Sequence, residues 1–314
     1  MKGPARQRGI ALLVALLAVA LAVVLVAGLL DGGELALART RNALREVQAV
    51  AYAQGLEAWA ADALLHDEPQ SDANTDVWAV PLPSQPVPGG TIGATMRDFD
   101  GCFNLNNLAP GAPPAWHDVF RRLLGVLHAD PGLDDAVSAW LAAKPGSGSA
   151  ADAWYLAQPI PYRPSGRVFA HASELRLVRG VTGDAYARIA PYVCALPTGT
   201  HINVNTASVP VLEAITVPPI EPALAQRLWQ DGGAQWPDLP TFARAAGLPP
   251  TAVPSDLFSV RSSYFLARAL VTLDGIPFVF TSVIERGNGG IHVLARSRGV
   301  DSAIAAGEDA GAPP

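Results

Sequence analysis

The sequence predicts an α+β protein in which a long N-terminal helix packs on an antiparallel sheet and a large α-helical insertion interrupts that sheet. Three features predict this fold: an apolar run near the N-terminus, helical periodicity beyond it, and a meander of strands near the C-terminus. Between the strands the hydrophobic spacing becomes helical over about 150 residues. The chain therefore combines a membrane helix, a sheet and a helical insertion.

The apolar run covers residues 10–30 and contains no charged or strongly polar side chain. As a helix it is about 30 Å long, enough to cross the hydrocarbon core of a bilayer. Cations precede the run at Lys2, Arg6 and Arg8, and Asp31 follows it. The positive-inside rule then places the N-terminus in the cytoplasm. We expect a single-pass membrane protein whose bulk lies on the side of the membrane opposite the cytoplasm.

Three interpretations of the N-terminal segment remain open. A secretory signal peptide would end at Ala38, but the apolar run is longer than the ~7–15 residues of a signal h-region. A plain signal anchor is the second interpretation. The third is a prepilin-type leader, residues 1–9, which is cut between Gly9 and Ile10 and leaves Ile10 to be N-methylated. The direct junction of a basic leader, Gly9 and an apolar helix favours the third interpretation.

Helical spacing continues past the membrane run through RNALREVQAVAYAQGLEAWAADALL. Residues 91–99 and 257–298 alternate as strands do, with hairpin turn signals at Asp274-Gly275 and at residues 287–290. The predicted organisation is a leader (1–9), a transmembrane helix (10–30), a spine helix with the first strand (31–101), an α-helical insertion (102–255), the remaining sheet (256–300) and a flexible tail (301–314).

The composition narrows the functional class. The chain has 314 residues, of which 50% are hydrophobic and 16% charged, and a net charge of −6. Such a chain folds, and its negative charge disfavours nucleic acid as a partner. Residues 202–208 look like the start of a helix-hairpin-helix module, but Pro218 and Pro219 lack the backbone donors that a DNA phosphate needs. No zinc spacing, nucleotide loop or nucleophile elbow is present, so we predict no enzyme activity and no cofactor.

Four motifs carry a family resemblance: DFDGCFNLNNL at 98–108, PIPYR at 159–163, YV at 192–193 and HINVNTA at 201–207. Together they resemble the K-type minor pseudopilins of type II secretion systems, over nearly the whole chain. The resemblance implies a pilin fold with a large SAM-like, duplicated helical insertion, placed at the tip of the pseudopilus. It also implies as partners the I-type and J-type minor pseudopilins, the major pseudopilin and the prepilin peptidase, with secreted cargo as a further candidate.

The insertion contains a weak internal repeat. Residues 103–109 and 202–208 share the order apolar-Asn-x-Asn. Asn side chains at such positions accept backbone N–H bonds and start helices. We therefore expect a structural role for both segments.

Val14 is the fifth residue counted from Ile10, a position at which pseudopilins that resemble the fibre body carry Glu. A carboxylate at lipid depth costs several kcal/mol unless a cation neutralises it. In a fibre the N-terminal ammonium of the neighbouring subunit supplies that cation. A first subunit has no such neighbour, so Val14 predicts a position at the tip.

Two sets of carboxylates offer the hard oxygen ligands that calcium prefers: Asp72, Asp76, Asp98 and Asp100, or Asp130, Asp134, Asp135 and Asp152. K-type relatives often carry a segment resembling D-W-x-D, then G-A-E before a Tyr pair. Here the matching residues read SAWL at 138–141 and GSAAD at 148–152, before Trp154-Tyr155. Because most of those carboxylates are missing, we predict no metal site, with calcium as the one candidate.

Cys102 and Cys194 are the two cysteines of the chain and face an oxidising periplasm. A disulfide between them would close a long loop and stabilise the fold by about 4–5 kcal/mol in the chain-entropy model. Two buried thiols in separate helical lobes are the alternative. We favour the disulfide.

These observations lead to two functional hypotheses from different classes. The first is a minor pseudopilin at the tip of the type II secretion pseudopilus, which nucleates or caps the fibre for export of folded periplasmic proteins across the outer membrane. The alternative is a membrane-anchored periplasmic receptor for secreted cargo that uses the helical insertion. An anchored envelope enzyme is a third class, without a motif to support it.

Overall fold

A computed structural model describes residues 7–67, 70–144, 150–287 and 289–299. The α-helices of these residues are α1 (Gln7–Leu65), α2 (Ala115–Val126), α3 (Leu133–Ala142), α4 (Ala150–Leu156), α5 (Gly183–Ile189), α6 (Val209–Ala214), α7 (Pro222–Trp229) and α8 (Leu239–Ala245). The strands are β1 (Leu82–Val87), β2 (Gly90–Asp98), β3 (Phe103–Asn104), β4 (Val193–Cys194), β5 (Ile202–Asn203), β6 (Phe258–Ser259), β7 (Tyr264–Leu273), β8 (Ile276–Gly287) and β9 (Gly290–Arg298).

The N-terminal helix α1 is continuous over 59 residues. Among the residues that the structure describes, it is the one helix long and apolar enough to cross a membrane, with a mean hydropathy of 3.3 in its apolar window. The chain divides into two compact units, Met1–Tyr52 and Ala53–Pro314. The first unit therefore contains the predicted membrane segment, and the second contains the sheet and the insertion.

A five-stranded antiparallel sheet forms one layer of the second unit, with the order β1-β2-β7-β8-β9. The β7–β8 hairpin turns at Asp274 and Gly275, whose φ angles of 49° and 78° are those of a tight hairpin turn. This hairpin and β2 lie where the sequence predicts strands. Strand β1 was not predicted, because Pro83 and Pro86 interrupt its pattern; Pro is tolerated at such an edge.

One face of the sheet packs on the last turns of α1. Ala60 and Leu64 join Trp78, Phe265 and Ile284 in a buried apolar cluster. The rings of Trp78 and Phe265 meet edge to face, with centroids 5.1 Å apart. The helix-on-sheet packing that the sequence predicts is present in this unit.

The helical insertion lies between β2 and β7 and has its own apolar core, which contains Phe103, Trp116, Phe120, Trp140 and Phe258. The insertion that the sequence predicts as helical contains α2–α8, and its residues Ala172–Leu177 form a 3₁₀ helix. Two short parallel ladders, β3–β4 and β5–β6, join distant parts of the chain. The insertion is therefore a packed helical lobe and not a set of loops.

Candidate functional site

The first Asn-x-Asn segment fastens parts of the insertion to each other. The Asn104 Oδ1 atom accepts hydrogen bonds from the backbone N–H of Asn106, at 3.1 Å, and of Leu196, at 3.0 Å. Asn106 forms two hydrogen bonds with the backbone of Phe169, accepting from its N–H at 2.7 Å and donating to its carbonyl at 2.9 Å. Asn107 accepts a hydrogen bond from the N–H of Gly199. The predicted structural role is observed for this segment.

The second Asn-x-Asn segment makes the same local turn. The Asn203 Oδ1 atom accepts from the backbone N–H of Asn205 at 2.9 Å. Its amide group donates to the carbonyl of Asp72 at 3.0 Å and to the carboxylate of Asp98 at 3.1 Å. Asn205 forms two hydrogen bonds with the backbone of Trp236. Asn203 thus connects the insertion to the end of β2 and to the loop after α1.

Two buried carboxylates, Asp98 and Asp100, lie at this junction. Asp98 accepts hydrogen bonds from the hydroxyls of Ser262, at 2.6 Å, and of Thr206. Burial raises the pKa of Asp98 to about 6, although these hydrogen bonds oppose the shift. Burial and the neighbouring Asp98 charge also raise the pKa of Asp100. Gly101, which directly follows Asp100, leaves no room for a side chain, since a Cβ atom would lie 2.6 Å from the Thr206 carbonyl oxygen.

An ion-pair network adjoins the buried pair. The Arg286 guanidinium donates to Asp67 at 3.0 Å and also to Asp72, and it lies 4.8 Å from the ring centroid of Phe265. The carboxylates of Asp67, Asp72 and Asp76 come within 4.8 Å of one another. Because Arg286 already supplies the positive charge between two of them, this group does not fit a calcium ion.

Two members of the other predicted set of calcium ligands, Asp130 and Asp134, are engaged by protein groups. Buried Asp134 binds His117 Nδ1 at 2.8 Å and Arg121 Nε at 2.9 Å, so both carboxylate oxygens have partners. Asp130 accepts from the N–H of Gly132. Asp134 therefore joins helices α2 and α3, and Asp130 fixes the turn before α3.

Cys102 and Cys194 are joined by a disulfide across 92 residues of sequence. Cys194 lies beside Asn104 in the β3–β4 ladder, directly at the first Asn-x-Asn segment. The bond therefore fixes the start of the insertion to its middle.

A cavity of about 900 Å³ lies between the insertion and the face of the sheet opposite the one that packs on α1. Leu266, Val283 and Ala295 form its sheet wall, and Tyr192 and Trp229 belong to its insertion wall. His171 on the wall uses its Nδ1 atom to accept from the backbone N–H of Ser173 and so caps a 3₁₀ helix. Two hydroxyl groups at this wall contact polar side chains: Thr206 donates to the Asp98 carboxylate, and the Ser173 hydroxyl lies 2.8 Å from His171 Nδ1.

The predicted leader site lies at the beginning of α1. Residues 1–6 are outside the described residues, and Gly9 and Ile10 are helical. The side chains of Ile10 and Val14 are exposed in this single chain, as expected for a segment that lipid or other subunits cover. Sequence reasoning missed the roles of Arg286 and Asn203 at the junction, since their aspartate partners lie more than 100 residues away in the chain.

Comparison with known proteins gives one consistent match. The family model for type II secretion system protein K matches residues 101–198. The type II secretion system protein K of Pseudomonas aeruginosa is 34% identical over 313 residues, covering 93% of each chain. The protein of the same description from Pectobacterium carotovorum is 31% identical and covers 94% of this chain and 97% of its own.

Among solved structures, a chain in the crystal structure of the GspK–GspI–GspJ complex from the enterotoxigenic Escherichia coli type 2 secretion system is similar to this one. The TM-score is 0.70 and the identity 26%, over 84% of this chain and 100% of that chain.

Proposed function

This chain belongs to the protein K family of type II secretion systems, and we propose that it is a minor pseudopilin that caps the tip of the pseudopilus. In this role it is anchored in the inner membrane by residues 10–30, with its bulk in the periplasm. Its partners are the I-type and J-type minor pseudopilins, and the assembled fibre exports folded proteins across the outer membrane. The similarity to a chain of the GspK–GspI–GspJ complex supports these partners.

The observation that carries this proposal is the position of the insertion. It enters the chain after β2 and leaves before β7, two neighbouring strands of the sheet, so the whole lobe is attached at one end of them. About 150 additional residues at that place would obstruct close helical stacking if every subunit carried them. A single copy at the end of the fibre avoids the obstruction. The two Asn-x-Asn turns support the further proposal that the lobe consists of two related, SAM-like halves.

Val14 supports the same position. In a repeated subunit a Glu at this depth can be neutralised by the N-terminal ammonium of the next chain, whereas a first subunit has no such partner. We expect Val14→Glu to be processed normally and to reduce secretion, while the apolar control Val14→Ile leaves secretion unchanged. Normal secretion by the Glu variant would contradict this explanation of Val14.

Maturation is tested at the leader. We propose that prepilin peptidase cuts after Gly9 and that Ile10 becomes N-methylated. Mass spectrometry of the mature N-terminus distinguishes the three interpretations. The first residue is Ile10 after prepilin cleavage, Arg39 after signal-peptide cleavage and Met1 if the segment is an uncleaved anchor. Gly9→Val should retain the leader, and normal processing of that variant would refute the prepilin interpretation.

The tip position is tested by counting the copies of this protein in each isolated fibre. The protein should co-purify with the I-type and J-type subunits and occur about once per isolated fibre, at one end, as antibody labelling in the electron microscope would show. Labelling at regular intervals along the fibre would overturn the proposal. We also propose that the fold needs no metal, so its melting temperature should be the same in calcium and in a chelator.

A further inference from the structure

One surface of the insertion is formed by two segments that the proposed function does not use. The first segment is residues 154–163, which include the motif PIPYR, and the second is residues 176–179. The Tyr162 hydroxyl donates to the carbonyl of Leu177 at 3.0 Å, and the Arg179 N–H donates to the Tyr155 hydroxyl at 3.0 Å. These bonds hold the two segments side by side.

Apolar side chains project from this surface. Ile160 is 82% exposed, and Leu156 and Leu177 are 43% and 45% exposed. Pro159 and Pro161 flank Ile160 and fix the backbone on both sides of it, so little conformational entropy is lost when the loop is bound. The neighbouring Tyr155 is buried in the core of the lobe, which anchors the loop from below. Ile160 therefore forms a rigid apolar projection.

The same surface is basic. Residues 153–183 contain four Arg and a single acidic residue, Glu174, in a chain with a net charge of −6. Glu174 already accepts from the backbone N–H groups of Ala170 and His171. Arg163 and Arg176 are exposed, and within the described residues neither forms an ion pair. The basic area ends near Arg179, which lines a small cavity together with acidic side chains of the loop before α3 and of its first turn.

We propose that these residues form a docking surface, the arginine patch, for a protein partner that presents carboxylates around an apolar pocket. The patch consists of Leu156, Ile160, Arg163, Arg176, Leu177 and Arg179. Ile160 fills the pocket, and the guanidinium groups bind the surrounding carboxylates.

The chemistry of the patch favours a protein over a lipid surface. All its cations are Arg, whose planar fork matches a carboxylate with two parallel hydrogen bonds. An interfacial membrane site typically uses a long amphipathic helix with a broad apolar face. Here the apolar residues lie on a proline-fixed loop and a 3₁₀ helix of six residues. Arg and a rigid apolar anchor are also typical of the centre of protein interfaces.

The chain provides a matched control. Val217 is 77% exposed and is followed by Pro218 and Pro219, so it also projects from a proline-fixed loop of the insertion. Its neighbours in the chain include Glu213 and Glu221, and burial together with the charge of Glu221 raises the pKa of Glu213. Val217 therefore has an exposure close to that of Ile160, but its neighbours in the chain are glutamates instead of arginines.

The experiment places a photo-crosslinking amino acid, p-benzoylphenylalanine, at position 160 or 217 of the full-length protein in cells that are secreting. We expect a protein adduct at position 160 whose crosslinked peptide carries a net negative charge, and none at position 217. Arg163→Glu with Arg176→Glu should reduce this adduct about tenfold or more. Arg163→Lys with Arg176→Lys should weaken it less.

Secretion provides the second measurement. Ile160→Asp should reduce secretion about tenfold, and Val217→Asp should leave it within about twofold. The I-type and J-type subunits should still co-purify with both variants, which separates failure of the patch from failure of the tip assembly. A lipid adduct, no adduct at position 160, equal adducts at both positions, or an adduct unaffected by charge reversal would overturn the proposal. Loss of co-purification by Ile160→Asp would also overturn it as an interface outside that assembly.

Discussion

The two Asn-x-Asn segments of the insertion share a sequence pattern and a local turn but differ in what they hold together. Asn104 and Asn203 each accept a hydrogen bond from the N–H two residues later, at 3.1 and 2.9 Å. The first segment then contacts other parts of the insertion, around Phe169 and Leu196. The second contacts the sheet and the loop after α1, through Asp98 and Asp72. A short repeat therefore fixes a local turn, and the rest of the fold decides its partners.

Their means of stabilisation differ as well. The first segment has a covalent connection, the Cys102–Cys194 disulfide, beside it. The second has hydrogen bonds to one buried carboxylate, Asp98, whose pKa is raised to about 6 by burial. We therefore expect the first segment to respond to reductant and the second to pH.

The largest effect should come from the disulfide. Replacing both Cys102 and Cys194 by Ser opens a loop of 92 residues and should lower the free energy of unfolding by about 4–5 kcal/mol. Urea unfolding of a fragment that starts at residue 44 and so lacks the predicted membrane helix, with and without reductant, measures this. Two alkylatable thiols in the native, unreduced protein would contradict the pairing.

Next in size is the loss of an Asn amide. Asn203→Ala and Asn106→Ala each remove several buried hydrogen bonds and leave partners unsatisfied, so each should cost about 2–4 kcal/mol. The comparison predicts a further difference: Asn203→Ala should change the pH dependence of unfolding, because its amide contacts Asp98, and Asn106→Ala should not. Identical pH profiles for the two variants would refute the assignment of separate roles.

Much of the fold follows from local sequence signals. The hairpin at Asp274 and Gly275 is predictable because two consecutive residues with positive φ suit few other sequences. The turns at Asn104 and Asn203 are predictable for a similar reason, since the bond is made within two residues. The partners of Asn203 are not predictable, because Asp72 is 131 residues away and hydrogen bonding leaves no periodic pattern in the sequence. Asp98 and Asp100 attract attention in sequence as metal ligands, yet in the structure they accept hydrogen bonds from hydroxyl, amide and backbone N–H groups.

A smaller effect should appear in the way the free energy of unfolding changes with pH. The pKa of Asp98 is raised to about 6 in the folded state, against about 3.9 in an unfolded chain. The folded state holds this proton more tightly, so the stabilisation it provides is fully present below about pH 4 and is lost as the pH rises through about 6. We expect a contribution on the order of 1–3 kcal/mol between these values. Asp98→Asn should remove this part of the slope, although the variant is less stable overall; an unchanged slope would contradict the shift.

The smallest effect should come from Glu57, which fastens the end of α1 to the sheet and touches neither Asn segment. Its carboxylate accepts hydrogen bonds from Arg296 Nε, at 2.8 Å, and from Arg296 Nη2, at 2.9 Å, and another from the Ser282 hydroxyl. Burial alone would raise the pKa of Glu57, but the hydrogen bonds from Arg296 and Ser282 outweigh it, and the pKa is lowered. Because Arg296 is largely exposed, Glu57→Gln should cost only about 0.5–1 kcal/mol.

The contribution of Glu57 to the free energy of unfolding depends on pH with the opposite sign to that of Asp98. A carboxylate with a lowered pKa stabilises the fold above its unfolded value, about 4.3, and this stabilisation is lost as the pH falls through the folded pKa. Glu57→Gln should therefore be less stable than the parent protein at pH 6, and this difference should shrink as the pH falls below about 4.3. Arg296→Gln should give the same profile, since either change breaks the same pair. Suppose instead that Glu57→Gln changed the pH dependence of the free energy of unfolding around pH 6. The pH dependence that we assign to Asp98 would then not belong to the second Asn-x-Asn segment.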